Sequence, residues 1–237
     1  MLKQKRYTEL QKDFINNMTH EFKTPLSSIL IASNFANSQE EIKNNPKLSK
    51  YIQIIINQSK KLDQHIEKIL YVAKTDSNQI LLEKTSIDLE KTIDLVKENI
   101  LLKHQKEIIF KIDLDRNYQI NADEFHFYNI IYNIVDNAIK YSEKNIEVTI
   151  KANETTEGLL LSFSDNGSGI PMKDLPFIFD KFYRVAREDN KDIEGFGIGL
   201  SYVKRICDLH KWKVSLKNNS GKGILFKILI NKEDFNG

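Results

Sequence analysis

A single cysteine in 237 residues rules out any disulfide within the chain. Cys207 stands in an apolar stretch with Ile206 and Leu209, where a small buried side chain is expected rather than a reactive thiol. No apolar run approaches the roughly 18 residues needed to cross a bilayer, and no signal-peptide pattern opens the sequence. The chain therefore reads as soluble and cytoplasmic in type, with no membrane contact of its own. Excess charge of one sign is also missing. Lys+Arg 35 against Asp+Glu 33 leaves +2, no field for nucleic acid or a strongly acidic partner. Trp212 and the scattered tyrosines make no basic-aromatic stripe, and His65, His104, His126 and His210 have no metal-ligand constellation around them. Internal repeats and low-complexity segments are absent. What is present is 41% hydrophobic residues in a chain long enough to pack one large domain or two modest ones.

Hydrophobic spacing predicts two long helices, 8–37 and 47–74, separated by Ser38-Gln39-Glu40-Glu41 and the breaker Asn44-Asn45-Pro46. Ile15, Met18, Phe22, Pro25, Ile29, Ala32 and Ala36 follow at alternating steps of three and four, the seam of a coiled coil or bundle. Leu48, Ile52, Ile55, Ser59, Leu62, Ile66, Ile69 and Ala73 repeat it. Two helices cannot enclose such seams alone. A homodimer forming a four-helix bundle is the economical solution, and packing on the chain's own second domain is the alternative. From about Asp76 the pattern changes. Ile80-Leu81-Leu82 and 108–112 read as strands with a helix from Asp88 to Lys103 between them. A helix from Ala122 to Tyr141, strands near 146–151 and 159–164, a helix from Gly199 to His210, and a closing hairpin of strands near 214–217 and 224–230 follow. The expected fold is α+β: a helical hairpin over 1–75, a linker or hinge over 76–86, and an α/β sandwich over 87–237 with helices on one face of a mixed sheet.

With Ile15 at heptad position a, His20 falls at f, farthest from the seam, and is expected to face solvent. A neutral exposed imidazole can accept a phosphoryl group, and an ordinary pKa near 6.5 leaves much of it neutral at physiological pH. Glu21 is placed to accept the hydrogen of one ring nitrogen and leave the other free, or is a solvated helix glutamate. Thr24 lies four residues on, on the same face. Pro25 removes an amide from the helical ladder, which predicts a bend unless the strain is tolerated.

Asn129, Asn133 and Asn137 recur every four residues on one helix although asparagine is a poor helix former. The stripe is either a polar surface or a set of amides with work to do, and an amide oxygen suits magnesium. Asp165-Asn166-Gly167-Ser168-Gly169-Ile170-Pro171 follows a strand and reads as a ligand loop or an ordinary turn. Gly195, Gly197 and Gly199, with Leu200, open a helix whose first amides favour phosphate. Their spacing is neither a dinucleotide fingerprint nor a P-loop. The polar run Arg187 to Glu194 is a loop of a length that is usually functional or disordered.

His20-Glu21-x-x-Thr24-Pro25-Leu26, Asn133-Ile-Val-Asp-Asn137-Ala138-Ile-Lys140-Tyr141-Ser142, the two glycine clusters, and Phe179-Asp180-Lys181-Phe182-Tyr183-Arg184 resemble, in order, the H, N, glycine and F boxes of two-component sensor histidine kinases. The resemblance spans nearly the whole chain. Phe22-Lys23 replaces a commoner Leu-Arg pair. It implies ATP and Mg2+ as cofactors, phosphorylation of His20 with help from Glu21, and a phosphatase role for Thr24 on the partner. It implies Asn137 as the magnesium ligand, with Asn133, Lys140 and Tyr141 around the nucleotide. Asp165, with Gly167, Gly169 and Ile170, would meet adenine, and Gly195, Gly197, Gly199 and Leu200 the phosphates. Phe179 and Phe182 would anchor an ATP lid, and Arg184 would meet the γ-phosphate or else make a surface salt bridge. The implied partners are a second copy of the chain and the receiver domain of a response regulator. Such kinases often carry an amino-terminal sensor with membrane spans, so the expectation is the cytoplasmic portion of a membrane-anchored sensor. The competing readings are a nucleotide-binding signalling scaffold without autokinase activity and a conformational ATPase.

Overall fold

The structure is a computed structural model that describes residues 22, 24–59, 62, 80–104, 107–142, 145–185 and 197–236. The chain divides into two compact units, Met1–Ile80 and Leu81–Gly237.

In the first unit residues 24–38 and 46–59 are helical, with a one-turn helix, Glu40–Lys43, between them. Asn45 and Pro46 both break and start helices: the Asn45 side chain accepts from the Leu48 amide at 3.2 Å, and Pro46 takes the first helical position, where a missing N–H costs nothing. Leu26, Ser33, Ile56 and Ser59 are buried. Of the predicted seam only Ser59 is among them, while Phe22 (56% exposed), Ile29, Leu48, Ile55 and Leu62 stay open to solvent. A hairpin has one contact stripe per helix, so the rest of a bundle seam stays uncovered in a single chain. Ile15, Met18, Ile66, Ile69 and Ala73 lie outside the described residues.

The second unit holds two sheets. Strands β1 (Lys84–Asp88), β3 (Gln119–Asp123) and β8 (Phe235–Asn236) form a small antiparallel sheet in the order β1-β3-β8. The larger sheet has the order β2-β4-β5-β7-β6, built from β2 (Ile108–Leu114), β4 (Ile146–Glu154), β5 (Gly158–Asp165), β6 (Lys213–Asn218) and β7 (Ile224–Asn231). Only the β2–β4 pair is parallel. On β4, Ile146, Val148, Ile150 and Ala152 are buried and their neighbours are not. Leu159, Leu161 and Phe163 continue the alternation on β5, and Phe226, Ile228 and Ile230 on β7. This period of two makes one face the core. Helix α1 (Leu89–Lys103), α2 (Glu124–Lys140) and α3 (Gly199–Leu209) cover it, α2 lying against both α1 and α3.

Two sequence expectations need correction, and one strand was not expected. Residues 80–83 are not a strand, and Leu81 is 88% exposed. The strand is the next segment, Lys84–Asp88, whose polar composition hid it and whose pairing with β3 defines it. Strand β3 was concealed at the front of the predicted Ala122 helix. Helix α2 begins at Glu124, where Asp123 caps it by accepting from the His126 amide at 3.0 Å. The tiny strand β8 has no periodicity to read and exists only through β3.

Candidate nucleotide site

In the first unit Thr24 is exposed on a helix that continues through Pro25. The Ser28 hydroxyl donates to the Thr24 carbonyl at 3.2 Å. His20 and Glu21 lie outside the described residues, as does Gly195.

In the second unit the asparagine stripe of α2 is half-buried. Asn129 donates its amide N–H to the Phe125 carbonyl and Asn133 donates to the Asn129 carbonyl, both at 2.7 Å. This back-bonding leaves the Asn133 oxygen as the end that faces away from its own helix. A Cβ at Gly199 would come 3.0 Å from that oxygen and 3.6 Å from Asn137 Nδ2. The stripe therefore meets the first turn of α3, whose N-cap residue, Ile198, offers its amides no side-chain acceptor. Two amide side chains beside N–H groups at the positive end of a helix dipole suit an anionic ligand. An amide oxygen is also a hard donor of the kind magnesium takes, so these residues fit that ion.

Asp165 ends β5, buried. Its Oδ1 accepts from the Gly167 amide at 2.8 Å and the Ile224 amide at 3.3 Å, and Oδ2 has no hydrogen-bond partner among the described residues. Burial pushes its carboxyl above the usual range, against the lowering effect of those two amides. An acceptor held rigid on one side and open on the other can recognise a donor such as an exocyclic amine. The Tyr141 carbonyl, at the end of α2, receives the Ser168 amide at 3.2 Å, which ties the glycine loop to the asparagine helix. A cavity of about 330 Å³ is lined by Ser168–Pro171, Asn218 and Gly221–Gly223.

The F-box residues behave differently from one another. Phe179 packs edge-on against Phe226 in the core, with ring centres 6.1 Å apart. Phe182 is 61% exposed, so its ring gives no buried anchor among the described residues. Its backbone is bonded instead: the Phe182 amide donates to the Gly197 carbonyl at 2.9 Å. Gly197 (φ 69°) is so close that a Cβ there would lie 2.5 Å from the Tyr183 carbonyl oxygen. The two ends of the segment between them are thus joined. Arg184 is exposed, and Leu200 is half-buried in the first turn of α3.

Sequence reasoning missed one cluster. Asp136, buried inside the asparagine motif, takes Lys103 Nζ at 2.7 Å and His104 Nε2 at 3.0 Å on Oδ1, and pairs with Lys140 through Oδ2. Burial pushes its carboxyl up, but Lys140, Lys103 and His104 outweigh that and hold it down to about 2. Lys140, expected beside the nucleotide, is engaged here by its own helix. The spacing of Asp136 and Lys140 was readable as an i,i+4 pair, whereas the approach of Lys103 and His104 from α1 was not.

Comparison with known proteins agrees with this geometry. The His Kinase A (phospho-acceptor) domain matches residues 10–78, and the histidine kinase-, DNA gyrase B-, and HSP90-like ATPase domain matches residues 122–234. Sensor protein RprX of Bacteroides fragilis is 35% identical over 236 residues, covering 97% of this chain and 45% of that protein. The signal transduction histidine-protein kinase ArlS of Staphylococcus aureus is 29% identical over 224 residues, covering 93% of this chain and 49% of that one. The chain thus spans about half the length of these curated relatives. Full-length ShkA, solved in complex with AMPPNP, shares the fold at a TM-score of 0.77 and 24% identity, over 91% of this chain and 45% of ShkA. With both domains present in this order and together covering most of its residues, the chain carries the phospho-acceptor and ATPase domains that make up a two-component histidine kinase catalytic core.

Proposed function

We propose that the chain is an ATP-dependent protein histidine kinase that phosphorylates His20 and passes the phosphoryl group to an aspartate on the receiver domain of a response regulator. The observation that carries this reading is the convergence in one unit of an open, buried carboxylate at Asp165, the Asn133 and Asn137 amides, and the first turn of α3. These are an adenine acceptor, a cation site and a phosphate site in one place. In this reading Asn137, with Asn133, holds Mg2+, which when bound screens the phosphate charge. Gly167, Gly169 and Ile170 border the base, Tyr141 and Lys140 flank the nucleotide, and Gly195, Gly197, Gly199 and Leu200 receive the phosphates. Phe179 and Phe182 bound the lid, by ring packing and by backbone bonding respectively, and Arg184 meets γ-phosphate charge.

The neutral His20 imidazole attacks the γ-phosphorus in line with one ring nitrogen. An N–P bond forms, the bond to the β-γ bridging oxygen breaks, and ADP leaves with that electron pair while Glu21 accepts the hydrogen of the other ring nitrogen. Positioning and charge compensation supply most of the acceleration. Thr24, exposed four residues after His20, helps place the water that hydrolyses the regulator's aspartyl phosphate to free aspartate and inorganic phosphate. His20 must meet ATP and the regulator in turn, so we assign 1–75 to dimerisation and phosphotransfer and the part from β1 at Lys84 onward to ATP binding, which shortens the hinge expected over 76–86 to 76–83. The uncovered seam of Phe22, Ile29, Leu48, Ile55 and Leu62 supports a homodimer. We place the activity in the cytoplasm, which supplies ATP, as the catalytic part of a membrane-anchored sensor. The match to about half of two longer sensor kinases supports that placement.

The test is incubation with γ-labelled Mg-ATP, comparing the chain with His20→Ala. Label that is acid-labile, alkali-stable and absent from the variant is expected. Nucleotide binding without label would instead favour a scaffold.

A further inference from the structure

The turn between β6 and β7 carries more bonds than a hairpin connection needs. Asn218 makes a two-point contact with the backbone of Ile170, 48 residues away: its Oδ1 accepts from the Ile170 amide at 2.8 Å and its Nδ2 donates to the Ile170 carbonyl at 2.7 Å. This is the pairing one strand residue offers another, made here by a side chain. Asn219 Nδ2 reaches the Ser164 hydroxyl at 3.0 Å, the Asp165 carbonyl at 3.2 Å and the Ile224 carbonyl at 3.1 Å. Gly223 lies so close to the same strand end that an added Cβ would sit 1.9 Å from the Asp165 carbonyl oxygen. The amide after it, Ile224, bonds the Asp165 carboxylate itself.

The turn therefore grips both sides of Asp165. Ile224 and Asn219 hold the carboxylate and the strand end, while Asn218 holds Ile170, three residues beyond the Gly167 whose amide also bonds Oδ1. The carboxylate is left with one oxygen fixed and one open.

We propose that Asn218 is a positioning residue for base recognition, which clamps the 166–171 loop so that Asp165 presents Oδ2 to a purine amine in a single orientation. This rests on the adenine-nucleotide reading above. Asn218 touches no base itself; its effect runs through the Ile170 backbone and the loop amides. Breaking the clamp lets the loop move in the free protein, and ligand binding must then order it. The loss amounts to roughly one net hydrogen bond, about tenfold in affinity. A carboxylate that can turn also discriminates less well between a base that donates at this position, adenine, and one that accepts, guanine.

The experiment measures binding of a fluorescent ATP analogue to the whole chain, displaced by ATP and separately by GTP. The proteins compared are the wild type, Asn218→Ala, Asn218→Asp and Asn231→Ala. Asn231 is a control at the far end of the β5–β7 pairing, where its side chain donates to the Lys211 carbonyl at 3.3 Å. Asn218→Ala is expected to weaken ATP about tenfold while GTP changes less, so that the ATP preference falls. Asn218→Asp keeps the acceptor for the Ile170 amide but sets a carboxylate oxygen against the Ile170 carbonyl, and is expected to weaken ATP at least as much as Asn218→Ala. Asn231→Ala is expected to match the wild type. Thermal melts accompany each protein, and if Asn218→Ala fails to fold, Asn218→Asp decides. Wild-type chain that binds no ATP overturns the nucleotide reading. Wild-type binding with unchanged ATP preference in the folded Asn218 variant overturns the clamp alone.

Discussion

Replacing Asp136 with asparagine removes a buried charge held by three basic groups while keeping the side-chain shape. The folded carboxyl is held down to about 2 from an ordinary 3.8, and at about 1.4 kcal/mol per tenfold change in proton affinity this contributes about 2 kcal/mol to stability. Because the folded value is the lower one, the contribution is fully present above 3.8 and is lost as pH falls through about 2. The larger penalty of roughly 3–5 kcal/mol for stranding a buried partner should not apply. The Lys103 and Lys140 side chains are 44% and 23% exposed and can turn their ammonium groups to water. Urea unfolding of the whole chain, followed through Trp212, reads the right unit. That residue is the one tryptophan of the sequence and is 2% exposed in the ATPase unit. Asp136→Asn is expected to lose about 2 kcal/mol at pH 7, with the difference falling to roughly half that near pH 3. His126 and His210, whose pKa values burial lowers, affect both proteins alike and cancel in the comparison. A difference below about 0.5 kcal/mol at pH 7, or the same difference at pH 7 and pH 3, would refute the charge argument.

Asp165→Asn is expected to weaken ATP binding by roughly 10- to 100-fold, since an amide donor would face the purine amine. Its melting temperature at pH 8 should equal or exceed the wild type, because burial raises the folded carboxyl and the ionised form therefore costs stability as pH rises. Calorimetry of both properties checks the pair, and a large loss of stability would count against it. Gly223→Ala must push a Cβ against the Asp165 carbonyl from a φ of +83°, so it is expected to lose roughly 3 kcal/mol in the Trp212 unfolding assay together with nucleotide binding. Cys207, fully buried with its thiol pushed far up by desolvation, should resist a thiol reagent in the native protein and react within seconds in urea. Fast native labelling would show that this core opens readily.

How much of this was legible in advance follows from the range of the interactions involved. The helices α1, α2 and α3 and the strands β5 and β7 are local patterns, legible in the sequence to within a residue or two, while β4 runs three residues past its expected end. The order of motifs identified the family for the same reason, because glycines, asparagines and a histidine at fixed spacings are sequence facts. β1, β3 and β8 were not legible: short and polar, they are strands only because each finds the other's backbone. Asn218-Asn219 looked like ordinary turn residues until folding brought Ile170 and Asp165 against them. Asp136 stands unassigned within a motif, and its role is set by α1, which delivers Lys103 and His104 to it. The sequence by itself determined the two-part organisation, the helices, the central strands and the kinds of chemistry available. Only the tertiary structure decided which carbonyl, amide or ammonium each polar side chain would meet. Those partners lie tens of residues away, and no local periodicity encodes a contact that only chain closure creates.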